Sequence, residues 1–98
     1  MEFTKEIKQN WLKALKSGKY KQLCSGQYVD SNKHCCLAVY GEINKIRFED
    51  TVNYFYKFLG VEKYNNLIST NDKDYNSKSY KFDYSNVIPL IEALPTVD

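Results

Sequence analysis

Three cysteines and a single histidine are the side chains of this sequence best suited to nucleophilic or metal chemistry. Cys35 and Cys36 are adjacent, whereas zinc sites usually space their cysteines about two to four residues apart so that both thiolates reach one ion. A cysteine nucleophile needs a base and a group that orients the base. Cys24 could be the nucleophile, with His34 as its base and Asp30 as the orienting group. Buried structural thiols are the competing interpretation. We expect no metal and no cofactor, and we leave enzymatic activity open while favouring a protein that is not an enzyme.

A run of lysines interleaved with aromatic and amide side chains suits the recognition of a small anion. A nucleotide ring could stack on a tyrosine while a lysine faces its phosphate. Amide and carboxylate groups could then read the ribose or the edge of the base. The predicted ligand-binding residues are Lys19, Tyr20, Lys21, Gln22, Tyr28, Asn71 and Asp72.

The charge of the chain is small but unevenly distributed. The net charge is +2, with nine basic against four acidic residues in 1–47 and five against eight in 48–98. Binders of long nucleic acids are usually strongly basic, so this balance argues against a nucleic-acid partner. The asymmetry favours a small anionic ligand on one face, and it equally suits head-to-tail association. We predict a homo-oligomer.

Length and apolar content indicate one globular domain over residues 1–98. A chain of 98 residues with 43% hydrophobic content can bury one core, although with little margin. No apolar run approaches the roughly 18 residues that span a bilayer, and no signal peptide is evident. We therefore expect a cytoplasmic protein with reduced thiols and no membrane partner.

A helix is predicted directly before the lysine run. Ile7, Trp11 and Leu15 recur about every four residues, which places them on one helical face. Gly18 stands where a left-handed residue commonly ends a helix. These signals predict a helix over residues 4–17.

Two turn signals follow this helix. Ser25-Gly26 lies between two short runs of mixed aromatic and aliphatic residues, which predicts a β-hairpin at residues 20–29. A polar turn is expected at residues 30–33. The apolar run from about residue 35 to 43 is typical of a short buried helix, with a strand as the alternative.

A second amphipathic helix is predicted in the other half of the chain. It begins at Glu49 or Asp50, carries Phe55 and Leu59 on one face, and stops at Gly60. This spacing gives it one apolar face that must pack on the rest of the protein.

The remaining residues predict less regular structure. Residues 64–68 could add a helical turn, and 69–84 read as a polar loop with a possible brief strand at 80–84. Ser85 is the expected cap of a final helix that Pro95 ends. The predicted fold is a small, mostly helical α+β domain of three to four helices with a short hairpin. Its predicted core consists of Trp11, Leu15, Leu37, Val39, Phe55, Leu59, Ile88 and Ile91.

Several of these positions together resemble a family of small uncharacterised proteins found in phages and prophages. The family pattern is a W..AL.SG.Y.Q start, a CCLGV block, a leucine-asparagine-aspartate turn and a closing helix. Ala38 and Thr70 depart from it, standing where the family usually has glycine and leucine. The matching positions are Trp11, Ala14, Leu15, Ser17, Gly18, Tyr20, Gln22, Cys35, Cys36, Leu37, Val39, Asn71 and Asp72. The resemblance implies a phage-encoded accessory protein in bacterial cytoplasm and carries no agreed activity.

These observations lead to three hypotheses about function. The first is a non-enzymatic phage protein that binds a small nucleotide-like anion and sequesters a host immune signal. The second is an inhibitor whose exposed tyrosines and 69–84 loop dock on a host defence enzyme. The third is a cysteine-dependent enzyme or a nucleic-acid binder.

Overall fold

Five helices and three short strands form in the computed structural model, which describes residues 2–23, 29–30, 33–72 and 83–98. The helices are α1 (Lys5–Lys16), α2 (Cys36–Asn44), α3 (Phe48–Leu59), α4 (Val61–Asp72) and α5 (Ile88–Glu92). The strands are β1 (Lys21–Gln22), β2 (Val29–Asp30) and β3 (Lys33–His34). The predicted mostly helical α+β fold is confirmed.

Helix α1 follows the prediction for residues 4–17. The Thr4 hydroxyl accepts a hydrogen bond from the Ile7 amide at 3.2 Å, which satisfies one of the unpaired N–H groups at the helix start. Gly18, with φ of 80°, turns the chain away after the last helical residues. The helix buries Trp11 and Leu15, and it exposes Lys5, Lys13 and Lys16.

The three strands pair differently from the predicted hairpin at 20–29. Strand β3 lies between the other two, parallel to β1 and antiparallel to β2. The antiparallel pair is therefore β2 with β3, and the predicted hairpin at residues 20–29, which would pair β1 with β2, is wrong. Strand β2 therefore pairs with the strand that follows it in the chain. The Ser25-Gly26 signal itself lies outside the described residues.

Helices α2 and α3 agree with the predictions for 35–43 and 49–59. Helix α2 is buried along most of its length, which explains why its sequence is a continuous apolar run. Lys45 ends it with φ of 57°. At Gly41 an added Cβ would lie 2.7 Å from the Ile46 carbonyl oxygen, so the close return of the chain requires glycine.

Helix α4 is longer than predicted. A single helix covers the expected turn at 64–68 and continues through 69–72, so the prediction of a loop beginning at residue 69 is wrong. Leu67 and Asn71 are both buried, although the sequence of this helix is mostly polar. Residues 73–82 of the predicted loop lie outside the described part of the chain. Asp83 and Tyr84, the described end of the possible strand, form a bend.

The final helix starts later than the predicted cap at Ser85. A turn precedes α5, in which the Val87 amide donates to the Tyr84 carbonyl at 3.0 Å. The Ser85 amide donates to the Asp83 carboxylate at 3.1 Å, so Asp83 stabilises this turn. Pro89 lies in the first turn of α5, where its missing N–H costs no helical hydrogen bond.

Most of the predicted core is confirmed. Six of the eight residues are buried, whereas Leu59 and Ile88 are partly buried and pack against the core. The prediction missed Phe3, Leu67 and Tyr84, each with at most 2% of its surface exposed. None of the helices in the described ranges has the length and apolar content needed to cross a membrane.

Candidate functional site

A buried amide network joins the sheet to the end of α4. The side chain of Gln22 is only 1% exposed, and its Nε2 donates to Oδ1 of Asn71 and Oδ1 of Asn86, both at 2.9 Å. Its Oε1 accepts from the Tyr84 amide at 2.9 Å. Both polar ends of Gln22 are therefore paired inside the protein, as burial of an amide requires.

Asn71 extends this network toward α2. Its Oδ1 also accepts from the Cys36 amide at 3.3 Å, and its Nδ2 donates to the Leu23 carbonyl at 2.9 Å and to Asp72 at 3.1 Å. One amide side chain thus serves the start of α2, the end of β1 and the last turn of α4. The side chains of Gln22 and Asn71 act together as a polar tie between these elements.

Tyr84 and Asn86 tie the segment before α5 to the same network. The Tyr84 hydroxyl donates to the His34 carbonyl at 2.6 Å and also lies 3.0 Å from the Lys21 carbonyl. Asn86 donates through Nδ2 to the Thr70 carbonyl at 2.6 Å. Residues 83–86 are consequently held against β1 and α4.

A surface cleft opens between the segment held in this way and the end of α1. Its volume is about 420 Å³, within the usual range of about 300–1,000 Å³ for small-molecule pockets. We name it the lysine cleft. Its lining residues are Leu15, Lys16, Gly18, Tyr20, Lys21, Asp83, Ser85 and Ile88.

The charges around the lysine cleft are mixed. Lys16 lies 3.9 Å from Glu92, with both side chains about half exposed, so this ion pair is weak. Lys19 lies just outside the lining, with its Nζ 5.6 Å from the centre of the Tyr20 ring. Lys21 and Asp83 are both exposed on the lining.

The predicted ligand-binding residues fall into three groups. Tyr20 and Lys21 line the lysine cleft, and Lys19 lies beside it. Gln22 and Asn71 belong to the buried network, where their polar atoms bond to protein groups, and they do not line the cleft. Asp72 is bonded to Asn71 and does not line the cleft, and Tyr28 lies outside the described residues. Their binding roles stay predictions.

The structure adds residues to the site that sequence reasoning missed. Asp83 and Ser85 line the cleft, and Tyr84 between them holds both in place. These residues are distant in sequence from the lysine run, and their polar types also suit an ordinary loop. The alternation of aromatic with polar residues at positions 80–84 predicts a possible strand. The burial of Tyr84 distinguishes residues 83–85 from an ordinary loop, and the pattern of a single sequence does not show which tyrosine is buried.

His34 contacts Tyr20, a lining residue of the cleft. Its ring packs edge-on against Tyr20, with the ring centres 5.2 Å apart. Its Nε2 lies 3.9 Å from the Glu42 carboxylate, and its Nδ1 is buried with no hydrogen-bond partner among the described residues. Of the predicted Cys24–His34–Asp30 arrangement, Cys24 lies outside the described residues, and nothing is described of the Asp30 side chain. The structure therefore supports His34 as a packing partner of Tyr20.

The two described cysteines are poor nucleophiles. Cys35 and Cys36 are free, and both thiols are buried. Burial raises the pKa of each thiol, and the nearby negative charge of Asp72 raises both pKa values further. Both thiols are thus protonated at neutral pH, whereas nucleophilic attack and metal binding require the thiolate. Within the described ranges, no three His, Cys, Asp or Glu residues are placed to share a metal ion.

These raised pKa values predict slow alkylation of the native protein. In a Cys24→Ser variant at pH 7.5, we expect iodoacetamide to label Cys35 and Cys36 at least about tenfold more slowly than in guanidinium chloride. Intact-mass spectrometry over time measures both rates. Native labelling as fast as labelling of the unfolded chain would show that the thiols are accessible and ionised.

Comparison with known proteins yields one assignment. No curated protein and no solved structure matches the chain. A family model described as a domain of unknown function, DUF8296, matches residues 3–89. This span contains the amide network and every residue that lines the lysine cleft. Because the match extends over most of the sequence, the chain belongs to the DUF8296 family of domains of unknown function.

Proposed function

We propose that this protein binds a small, anionic, nucleotide-like ligand in the lysine cleft without converting it. The observation that carries the proposal is the placement of Lys16, Tyr20 and Lys21 on the lining of one cleft. A cation suits a phosphate, and a tyrosine ring suits stacking with a base. The proposal requires only affinity, so no catalytic group is needed.

The rigid support of the cleft favours ligand binding. Tyr20 adjoins β1, which is bonded to β3, and its ring rests against His34. Asp83 and Ser85 are held in place by Tyr84 between them. The Tyr84 hydroxyl donates to the His34 carbonyl, and the Tyr84 backbone N–H donates to Oε1 of Gln22. A site whose walls are fixed before binding loses less conformational entropy when the ligand arrives.

The proposed setting is a phage-encoded accessory protein in bacterial cytoplasm. The resemblance of the Trp11–Gln22 segment and the Cys35–Cys36 block to phage proteins supports it. In that setting the protein would sequester a nucleotide signal made by host defence. We propose that it works as a homo-oligomer, because the excess of basic residues in 1–47 and of acidic residues in 48–98 suits head-to-tail contacts.

A thermal-shift screen against cyclic di- and trinucleotides, ADP-ribose compounds and mononucleotides tests the proposal. A ligand at 100 times its Kd adds about 2.7 kcal/mol of stability, which for a domain of this size raises Tm on the order of 10 °C. Chromatography of the recovered compound should show it unaltered. Conversion of the compound to a product would make the protein an enzyme and contradict the proposal.

Variants of the cleft should remove this shift. We expect Lys21→Ala to weaken binding about tenfold, because it deletes a charge-assisted contact to phosphate. Tyr20→Ala should weaken binding to a similar degree through lost stacking. Lys57→Ala is the matched control, since Lys57 is exposed on α3 and does not line the cleft. Equal loss in Lys57→Ala and Lys21→Ala would indicate a general charge effect and no site.

A second candidate function is a protein-binding inhibitor of a host enzyme. The observation that favours it is the exposure of Tyr56 and Val61 where α3 meets α4, at 48% and 53%. Tyr64 packs against Tyr56, so this corner presents aromatic and aliphatic surface together. Affinity purification of wild type beside a Tyr56→Ser, Val61→Ser variant tests it. Loss of one captured host protein with the variant, and no nucleotide shift with wild type, would favour this function.

A further inference from the structure

We propose that the lysine cleft selects ribonucleotides, with a phosphate held at Lys21 and the ribose hydroxyls held by the carboxylate of Asp83. The inference rests on the proposed function and names the class of ligand that the same site accepts. Its observation is the presence of a carboxylate and a lysine on the lining of one cleft.

The position of Asp83 is fixed by its neighbour. Tyr84 has φ of 65°, an uncommon conformation for a residue other than glycine, and it is buried and bonded through both its amide and its hydroxyl. The left-handed turn at Tyr84 brings Asp83 and Ser85, on either side of it, to the cleft lining while Tyr84 itself points inward. The fold thus presents Asp83 to the cleft.

A carboxylate in an anion-binding cleft restricts which anions fit. It repels a second phosphate and accepts hydrogen bonds from hydroxyl groups, as carboxylates do for ribose in dinucleotide-binding proteins. The Asp83 carboxylate accepts from the Ser85 amide, and a carboxylate offers about four acceptor positions, so several donors can share it. A ligand with one phosphate and one sugar fits this arrangement better than a polyphosphate does.

The other charges near the cleft agree with this selection. Glu92 lies 3.9 Å from Lys16 and offsets part of its charge. Lys19 lies over the Tyr20 ring, outside the lining. Lys21 also lines the cleft, and within the described residues no acidic side chain forms an ion pair with it. Asp83 is then the acidic residue on the same lining that a ribose attached to a phosphate at Lys21 can meet.

Calorimetric titration with AMP, 2′,3′-dideoxy-AMP and pyrophosphate tests the inference on wild type and Asp83→Asn. We expect wild type to bind AMP about tenfold more tightly than dideoxy-AMP, and Asp83→Asn to reduce this ratio to about twofold or less. Asparagine retains an acceptor for the Ser85 amide. Glu62→Gln, an exposed acid on α4, is the matched control and should keep the wild-type ratio.

Each result decides between the two proposals. Equal binding of AMP and dideoxy-AMP by wild type overturns the inference and leaves the proposed function standing. Pyrophosphate binding without binding of either nucleotide also overturns the inference, leaving a simple anion site. If none of the three probes binds, the inference is overturned, and the thermal-shift screen with cyclic nucleotides and ADP-ribose compounds then decides the proposed function. Should Asp83→Asn fail to fold, the wild-type ratio alone decides.

Discussion

Replacing Trp11 by alanine is expected to lower the free energy of unfolding by about 3–5 kcal/mol. The indole is fully buried, and its Nε1 donates to the Cys36 carbonyl at 2.9 Å. Its ring packs against Tyr40 and Phe55, with ring centres 5.0 and 5.5 Å apart. Small domains have about 5–15 kcal/mol of stability in total, so a large share of the variant should be unfolded. Urea titration followed by far-ultraviolet circular dichroism measures the change.

Two further variants separate packing from hydrogen bonding at this position. Trp11→Phe keeps an aromatic ring but leaves the buried Cys36 carbonyl without its donor, so we expect an intermediate loss of about 1–3 kcal/mol. Tyr56→Ala, at a half-exposed aromatic position, should change stability by only about 0.5 kcal/mol. If Trp11→Ala instead melts like the parent, the description of the core is wrong.

Replacing Gln22 by alanine is expected to lower the free energy of unfolding by about 2–4 kcal/mol. Replacing a glutamine on the surface changes this free energy very little. The substitution removes the donor to Asn71 and Asn86 and the acceptor for the Tyr84 amide. Each of these groups would lose a hydrogen bond inside the protein, and the loss of such a hydrogen bond lowers the free energy of unfolding. Chemical denaturation of the variant beside wild type measures the loss.

The chain offers a matched control for this experiment. Gln9 is an exposed glutamine on α1. Gln9→Ala should leave the free energy of unfolding within about 0.5 kcal/mol of the wild-type value. A double-mutant cycle of Gln22→Ala with Asn71→Ala should show a coupling of about 0.5–3 kcal/mol. Additive effects would mean that the two amides do not act through one network.

Where a stretch of sequence carries strong periodicity, the fold could be predicted from it. Helices α1 and α3 combine regular apolar spacing with a glycine at their ends, and both were predicted within about two residues. Helix α2 was recognisable as an apolar run that only a buried element tolerates. In each case the signal is local, so one sequence is enough to read it.

The rest depends on contacts between distant residues. Helix α4 has a polar sequence that is typical of a loop. Asn71 is buried in it because its side chain forms hydrogen bonds with Gln22 and with the Leu23 carbonyl, and these contacts are distant in sequence. The pairing of β1 with β3 is set by the tertiary structure, since strands of two residues carry no register signal of their own. Likewise the second wall of the cleft comes from Asp83 and its neighbours, whose position follows from the burial of Tyr84.

Four positions of the sequence pattern now have a physical explanation. Gln22, Asn71 and the backbone of Cys36 meet in the amide network, and Trp11 bonds to the Cys36 carbonyl. Sequence reasoning assigned Gln22 and Asn71 to ligand recognition because amides read polar ligands well. The geometry shows a structural use for both, and it leaves Tyr20 and Lys21 as the predicted residues that line a cleft.

The most direct test of the proposed binding site is an NMR titration of ¹⁵N-labelled protein with AMP. We predict that the largest amide shifts occur at Gly18, Tyr20, Lys21 and Ser85, and that Lys57 and Val61 stay unchanged. The same titration of Lys21→Ala should show these shifts only at about tenfold higher concentration. Shifts confined to the corner of α3 and α4, or no shifts at millimolar AMP, would contradict a nucleotide site in the lysine cleft.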